Sequence, residues 1–337
     1  MTTIGRRKLI RNGGMVAVSL ASPFVARADE PIALKLANDL PMSHPNTVRA
    51  QEAVDSINKE SGGKLKLELF PNNQMGGDND MLSQVRSGAL EMFLCTGQLL
   101  STLVPVVSVY GVSYAFSNYE TVWRAMDGEL GGMVRGAAAK AGLHVFDKMW
   151  DAGFRHIAAI KHAIETPADL KGFKIRVPIS PLWTSTFTAL GASPVSIPFA
   201  QVYTALQTGL VDGQDVSLDG LESAKFYEVV KYGSLTHHMW EGFMLLANGK
   251  IWRSLPAELQ GLLSRSLDAA ALKARADIMK DGQTLQAGLT SKGMIFNEPN
   301  PQPFRDVLRQ AGYYATWKTK YGNDAWAVLE KFSGPLS

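Results

Sequence analysis

Residues 169–178 read DLKGFKIRVP, and the interpretation of the fold begins at this stretch. Lys174 to Val177 predicts a short strand that leads into Pro178, with one arginine, Arg176, among apolar neighbours. Strands and helices alternate on both sides of this strand. The predicted elements around it are a strand over 154–160, a helix over 182–190, a strand over 193–197 and a helix over 200–209.

The N-terminal part of the chain shows a similar alternation. It predicts strands over 33–37, 65–70 and 89–94, and helices over 47–61 and 80–86. A βαβαβ run of this kind predicts an α/β fold with a parallel sheet and covering helices. Towards the C-terminus, one apolar stripe predicts a long helix over 256–291, which at ~1.5 Å per residue is long enough to cross more than one domain. Shorter helices are predicted over 303–320 and 324–332.

The first 28 residues predict a cleaved signal peptide. A basic stretch at residues 6–11 precedes an apolar stretch at 15–25, which is too short to span a bilayer. The small-x-small site at 26–28 makes Asp29 the predicted mature N-terminus. The pair Arg6-Arg7 resembles a twin-arginine export signal, so the sequence leaves general secretion and twin-arginine export both open. Either route predicts a periplasmic protein.

The chain beyond residue 28 is nearly neutral. The signal segment holds five basic residues and no acidic one, which leaves 29 basic and 31 acidic residues in the remainder. A balance of this kind gives no reason to expect a nucleic acid or an anionic membrane surface as partner. Cys95 is the one cysteine, so no intramolecular disulfide can form, and we expect it to be a small buried residue.

Motifs of enzyme chemistry are missing from the sequence. It has no dinucleotide-binding or phosphate-binding glycine loop and no nucleophile elbow. The adjacent pair His237-His238 is the one histidine cluster, and it lacks the spacing of a metal site. We therefore predict neither a cofactor nor a metal, and a protein that is not an enzyme. His44, in a polar turn, is a candidate ligand contact.

Two arginines carry the functional argument from the residues alone. Arg176 lies within an apolar strand and Arg155 near the start of another. A buried guanidinium needs an anionic partner, because an unpaired buried charge is costly. Two partners remain open at this point: an internal Asp or Glu, or the carboxylate of a ligand held by two parallel hydrogen bonds.

Several motifs resemble the substrate-binding proteins of tripartite ATP-independent periplasmic (TRAP) transporters, in the dicarboxylate-binding-protein-like family. The stretch 169–178 resembles the central motif of that family. Further matches are the runs 190–195 (LGASPV), 202–214 (VYTALQTGLVDGQ) and 225–229 (KFYEV). The resemblance covers residues 31–335 in order and includes Gly153-Phe154-Arg155, Phe70-Pro71 and the turn containing Gln74.

The resemblance implies a two-lobed periplasmic binding protein fold, with a ligand cleft between the lobes and a long helix spanning both. It implies lobe I from 29–152 plus about 242–281, and lobe II from 153–241 plus about 282–337. In this family the arginine matching Arg176 binds the substrate carboxylate, and the one matching Arg155 supports it. The implied partners are a small organic carboxylate and the small and large membrane subunits of a cation-driven permease, with the receptor itself a monomer.

One departure from the family motif concerns the substrate. After 212–214 the family commonly continues Glu-Asn-Pro, whereas this chain has Asp215-Val216-Ser217. Valine offers no hydrogen bond to a ligand, which favours a monocarboxylate with an apolar or aromatic tail over a C4-dicarboxylate or a sugar acid. Aromatic candidates for the cleft are Phe199, Trp150 and Trp183. The predicted ligand-binding residues are Arg176, Arg155, Asp215, Val216, Phe199, Trp150, Pro178, His44, Gln74 and Thr96.

Two other functions remain open from the sequence. The same binding fold serves as the ligand-binding component of sensor or chemoreceptor pathways, and the residues do not separate that role from transport. A periplasmic enzyme is the third alternative, against which the missing nucleophile, metal and nucleotide motifs argue.

Overall fold

The computed structural model describes residues 30–336, apart from the side chains of Asp281 and Gln283. The predicted signal peptide and its cleavage site lie outside the described residues. Within the described part, none of the helices combines the length and the apolar character that a bilayer span requires.

Strands and helices are interspersed along the described chain, which ends in three consecutive helices. The strands are β1 Ile32–Ala37, β2 Leu65–Phe70, β3 Met92–Thr96, β4 Leu143–Val145, β5 Trp150–Ala159, β6 Lys174–Val177, β7 Ser193–Ser196, β8 Gly213–Val216, β9 Tyr232–Asn248 and β10 Ile295–Asn297. The helices are α1 Pro45–Glu60, α2 Asp78–Ser87, α3 Gly97–Leu100, α4 Tyr119–Met126, α5 Glu129–Lys140, α6 Pro181–Ala189, α7 Val202–Gln207, α8 Leu218–Ser223, α9 Gly249–Ser254, α10 Ala257–Ser291, α11 Pro301–Gln310, α12 Tyr313–Tyr321 and α13 Asn323–Ser333.

These strands form one mixed sheet in the order β2-β1-β3-β9-β5-β8-β6-β7, with β4 and β10 also paired to β9. The β1–β2, β1–β3, β6–β7 and β6–β8 pairs are parallel. Strands β3, β5 and β4 run antiparallel to β9. The sheet therefore consists of two parallel βαβ portions joined through the antiparallel centre β5–β9.

The 17-residue strand β9 is the element shared by both portions of the sheet. One end of β9 pairs with β3 and β4, and its other part pairs with β5 and β10. The β5–β9 ladder is bulged twice, at Asp151–Gly153 and at Arg155–Ile157. Such bulges bend a strand, so they place two bends in the segment that connects the portions.

Helix α10 is the second element shared by both portions. Its 35 residues span about 50 Å at ~1.5 Å per residue, and it packs against α1 on one side and against α8 and β10 on the other. The predicted apolar stripe is buried, including Leu259, Leu263, Leu267 and Ala274. The prediction of a long helix spanning both portions is confirmed.

Most of the element predictions hold to within a few residues. Three need correction. The sheet is mixed, where the sequence analysis predicted a parallel one, because β9 returns antiparallel between the two portions. The third strand begins at Met92 and not at 89, since the amides of Gly88, Ala89 and Leu90 still bond to the Gln84 carbonyl at the end of α2.

The third correction concerns the helix predicted over 303–320. The structure has two helices there, α11 and α12. The break lies at Ala311-Gly312, where the amides bond back to the carbonyls of Val307 and Arg309. Gly312 adopts a φ of 69°, a left-handed conformation that a side chain disfavours.

Candidate functional site

A cavity lies where the two portions of the sheet face each other. One wall comes from the ends of β1 and β3 and from the start of α2, and the other from β5, β6, β8 and the segment after β7. The cavity has a volume of about 60 Å³ and is partly open to solvent. Its apolar lining includes Leu40, Phe93, Leu99, Trp183, Phe199 and Phe243.

Arg176 projects into this cavity from β6, with only 2% of its surface exposed. Its Nε donates to the Ile197 carbonyl over 2.9 Å. Its other two guanidinium nitrogens have no hydrogen bond or ion pair within residues 30–336. Burial, and then the nearby positive charge of Arg155, lower the pKa of Arg176 to about 10. A buried cation with two free donor groups is suited to an anion entering from the cavity.

Arg155 lines the same cavity but already has an acidic partner. Its Nη2 donates to Asp215 Oδ2 over 2.7 Å and to the Asp215 carbonyl over 3.0 Å, and its Nε also donates to that carboxylate. Burial alone would raise the pKa of Asp215, but Arg155 and His238 lower it to about 2. The sequence left two kinds of partner open for the arginines, an internal acid or a ligand carboxylate. Arg155 has an internal acid as partner, and Arg176 has none in the described part.

A hydrogen-bonded chain extends from Arg155 away from the cavity. The second oxygen of Asp215 contacts His238 Nε2 at 2.9 Å, and His238 Nδ1 contacts the Thr236 hydroxyl at 2.7 Å. All of these groups are buried. The network holds the Arg155 guanidinium in one orientation, over the Trp183 ring at 5.2 Å from its centroid.

Two carboxylates, Asp39 and Asp78, line the cavity on the wall opposite β6. Burial, and then the Asp78 charge, raise the pKa of Asp39. Its Oδ1 is buried and has no hydrogen-bond partner within the described residues. Burial also raises the pKa of Asp78, while the charge of Arg176 and the backbone amide of Phe199 act in the opposite direction.

His44 and Thr96 add neutral polar groups to the lining. His44 Nδ1 accepts a hydrogen bond from the Asn46 amide at the start of α1. Burial lowers the pKa of His44 to about 3, so the ring is neutral and carries its hydrogen on Nε2. Thr96 Oγ1 accepts from the Leu99 amide at the start of α3.

The structure brings most of the predicted ligand-binding residues together. Seven line the cavity: Arg176, Arg155, Val216, Phe199, Pro178, His44 and Thr96. Three do not. Asp215 lies behind Arg155, Trp150 is buried in the core beneath α1 and α10, and Gln74 is exposed in the turn after β2.

The sequence analysis missed Asp39, Asp78 and Phe243. Asp39 belongs to the polar turn that contains His44, so its position after a parallel strand was an available signal. Asp78 follows the glycines at 76–77 and begins α2, where a carboxylate is ordinarily explained as a favourable charge at a helix N-terminus. Nothing in the local sequence distinguishes that structural role from a cavity position. Among residues 30–336, no cluster of His, Cys, Asp or Glu has the arrangement of a metal site.

Comparison with known proteins agrees with this architecture. Residues 36–316 match the family described as bacterial extracellular solute-binding protein, family 7. The chain is 32% identical to the 2,3-diketo-L-gulonate-binding periplasmic protein YiaO of Escherichia coli (strain K12), over 77% of this chain and 80% of that protein. It is 29% identical to the C4-dicarboxylate-binding periplasmic protein DctP of Rhodobacter capsulatus, over 75% and 76% of the two chains.

Solved structures of TRAP periplasmic solute-binding proteins are also similar to this chain. A TRAP periplasmic solute-binding protein of Roseobacter denitrificans with bound β-D-glucuronate is 27% identical, with a TM-score of 0.84 over 90% of this chain and 99% of that one. A second, of Fusobacterium nucleatum with bound sn-glycerol-3-phosphate, is also 27% identical, with a TM-score of 0.85 over 90% and 98%. The predicted two-lobed α/β fold is thereby confirmed, and the chain belongs to family 7 of the bacterial extracellular solute-binding proteins, the DctP family of TRAP receptors.

Proposed function

We propose that this chain is a periplasmic receptor that captures a small organic carboxylate and delivers it to a TRAP permease made of a small and a large membrane subunit. The observation that carries the proposal is the guanidinium of Arg176, buried in an apolar cavity with two nitrogens unpaired in the described part. Trp183 lines the same cavity, and its indole nitrogen has no partner among the described residues. Both groups are donors, as a carboxylate requires.

The relatives named above support an acidic ligand. Their names or bound molecules are 2,3-diketo-L-gulonate, C4-dicarboxylates, β-D-glucuronate and sn-glycerol-3-phosphate. Since these acids differ widely, the preference of this chain must come from its own lining. We propose a monocarboxylate, because Arg176 is the one cavity arginine not already paired within the described residues.

The body of the ligand would lie against apolar surface. Val216 occupies the position where the family motif has asparagine, and Phe199, Trp183 and Phe243 face the same space. This lining favours an acid with an apolar or aromatic tail, such as an aromatic or branched 2-hydroxy or 2-oxo acid. A hydrogen bond to a charged group contributes ~1.5–3 kcal/mol, whereas micromolar to nanomolar capture needs roughly −8 to −12 kcal/mol. Apolar contact and lobe closure would contribute the rest.

Closure is supported by contacts between the two walls. The Ser43 hydroxyl, after β1, donates to the Ser223 carbonyl in α8 over 3.2 Å. The backbone amide of Phe199 forms a hydrogen bond with the Asp78 carboxylate, which lowers the pKa of Asp78. We propose that the moving bodies are lobe I, 29–152 plus about 242–281, and lobe II, 153–241 plus about 282–337. The bulged ladder β5–β9 and helix α10 would connect them. Ligand binding between two such lobes is a hinge closure.

The test is thermal unfolding of the mature protein against a panel of carboxylates, with Arg176→Lys in parallel. Lysine keeps the charge but cannot form two parallel hydrogen bonds, so we expect the ligand-induced rise in melting temperature to be largely lost. The control is Arg309→Lys, at a half-exposed arginine paired with Asp306. An unchanged ligand response in Arg176→Lys would refute the proposed anchoring.

Transport itself needs a second assay. Reconstituted permease vesicles should take up the acid only when this receptor is added. A response of a sensor protein without uptake would favour the signalling alternative, and turnover of the acid by the purified receptor would favour the enzyme.

A further inference from the structure

A buried hydrogen bond joins the two walls of the cavity. Gln98, in α3, and Ser180, directly before α6, are both buried, and the Ser180 hydroxyl donates to the Gln98 amide oxygen over 3.2 Å. In sequence, Gln98 lies between Thr96 and Leu99, which line the cavity from the β3 side, and Ser180 follows Ile179, which lines it from the β6 side. The bond therefore connects segments that line the cavity from opposite sides.

The sheet order shows how far apart these segments begin. Strands β3 and β6, which precede Gln98 and Ser180, are separated by β9, β5 and β8. Four strand spacings of ~4.8 Å each amount to about 19 Å in a flat sheet. The contact thus depends on the two portions of the sheet leaning towards each other across the bulged β5–β9 centre, and a rotation of one portion away from the other would break it.

Both partners are also held within their own segments. Gln98 Nε2 donates to the Ser108 carbonyl over 3.3 Å, which fixes the amide on the β3 side. The Ser180 hydroxyl accepts from the Leu182 amide in the first turn of α6. Since the next residue, Trp183, lines the cavity, the Gln98–Ser180 bond also fixes the start of the helix that carries this ring.

A glycine makes room for the Gln98 side chain. A Cβ at Gly111 would lie 1.9 Å from Gln98 Nε2 and 3.0 Å from Gln98 Cδ, whereas Leu182 Cδ2, at 3.5 Å, would be an ordinary van der Waals contact. Gly111 ends the 3₁₀ helix Pro105–Gly111 without a positive φ, so the close approach of Gln98 is the constraint at this position. An alanine there would displace the Gln98 amide and little else.

We infer that Gln98 is a positioning residue for ligand capture, which bonds the two walls together through Ser180 in a space that Gly111 leaves open. When the walls separate, water solvates both groups, so the bond stabilises the closed arrangement alone. It should therefore slow the release of a bound acid without changing the rate of its capture. This inference rests on the proposed function, because it takes closure around an acid as the event that the bond stabilises.

A double-mutant cycle isolates this one bond. Gln98→Met keeps the length of the side chain and removes the amide oxygen, and Ser180→Ala removes the hydroxyl. Stopped-flow tryptophan fluorescence gives the dissociation rate of each probe acid that binds the wild type, taken from D-erythronate, succinate, D-glucuronate and 2-hydroxyisocaproate. Each single variant should release the acid at least about tenfold faster, and the double variant at most about twofold faster than the faster single variant. Association rates should stay within about threefold of the wild type.

The same two changes should act independently in the ligand-free protein, where the walls are apart. Their effects on the melting temperature should add, because the two side chains no longer touch. Ser180 also caps α6, so Asn300→Ala, which removes the cap of α11, serves as the control for a lost cap. Asn300→Ala should leave the release rate unchanged.

Gly111 provides an independent perturbation of the same bond. Gly111→Ala should speed release at least about tenfold in the wild-type background. In the Gln98→Ala background it should have no further effect, because the amide that the new Cβ would displace is absent. The control Gly136→Ala, in α5, introduces a Cβ that meets nothing within 4 Å and should leave release unchanged.

Additive effects of Gln98→Met and Ser180→Ala on the dissociation rate would overturn the inference. So would an equal non-additivity in the ligand-free melting temperature, which would make the bond a permanent part of the core. Arg176→Lys, measured with the same acids, tests the proposed function separately. If Arg176→Lys binds them as the wild type does, the anchor is wrong, whereas the Gln98–Ser180 bond is judged by the cycle alone. Circular dichroism of every variant establishes that a loss of binding is not a loss of structure.

Discussion

Replacing Asp215 by asparagine should destabilise the protein severely, because this carboxylate holds two buried groups. It accepts from Arg155 Nη2 at 2.7 Å and contacts His238 Nε2 at 2.9 Å. The Asp215 side chain is 0% exposed and that of Arg155 is 10% exposed. Removing one partner of a buried ion pair leaves the other charge uncompensated, at a cost of ~3–5 kcal/mol. The cost arises in the folded state, next to Arg176, whose own charge already repels that of Arg155.

Urea unfolding followed by tryptophan fluorescence measures this change. The control Asp55→Asn, at an exposed position, should change the free energy of unfolding by less than about 0.5 kcal/mol. Arg155→Met combined with Asp215→Asn should recover part of the loss, because the uncompensated cation is gone. If Asp215→Asn alone unfolds within about 1 kcal/mol of the wild type, the ion pair does not carry the role assigned to it.

Three other predictions address pH and packing. First, because the pKa of Glu241 is raised from 4.5 to about 8 by burial, the folded state keeps a proton that the unfolded state releases, and stability should fall as pH rises between these values. Second, Glu241→Gln should remove most of that fall, on the order of 4 kcal/mol, in urea unfolding at pH 5 to 9; the same slope in variant and wild type would contradict it. Third, Gly131→Ala should destabilise the protein, since its Cβ would lie 1.8 Å from the Met126 carbonyl oxygen. Gly132→Ala, in the same helix, meets nothing within 4 Å and should raise the free energy of unfolding by up to about 1 kcal/mol. Equal melting temperatures for the two variants would refute this packing argument.

The parts of the fold that follow local rules could be predicted from the sequence. Strand β2 alternates polar and apolar residues, and α10 keeps one apolar stripe, so both were found almost to the residue. Strand β9 was missed because nearly all of its 17 residues are buried, on both faces of the sheet. Such a strand shows no alternation. Its antiparallel direction depends on pairing with β3 and β5, which no local pattern specifies.

The difference between local sequence patterns and long-range strand pairing also decides which site residues could be predicted. Arg176 was identified because a charged residue within a short apolar strand conflicts with its surroundings. Asp39 and Asp78 show no such conflict: one lies in a polar turn and the other at a helix N-terminus, where acids are common. Trp150 was predicted in the cleft and is a core residue, because an aromatic side chain has the same sequence pattern in either place. Only the pairing of distant strands brings the two acids opposite the arginine.

The one cysteine of the chain has a practical consequence for measuring domain motion. Cys95 is 1% exposed, and burial raises the pKa of its thiol, so the reactive thiolate is scarce. Spin labels or fluorophores can therefore be attached to new cysteines without first removing the native one. A labelled pair at Met42, in the segment after β1, and Ala200, in the segment after β7, both exposed, would report distances in solution with and without an added acid. The native chain is thus already suited to double electron–electron resonance and single-molecule energy transfer.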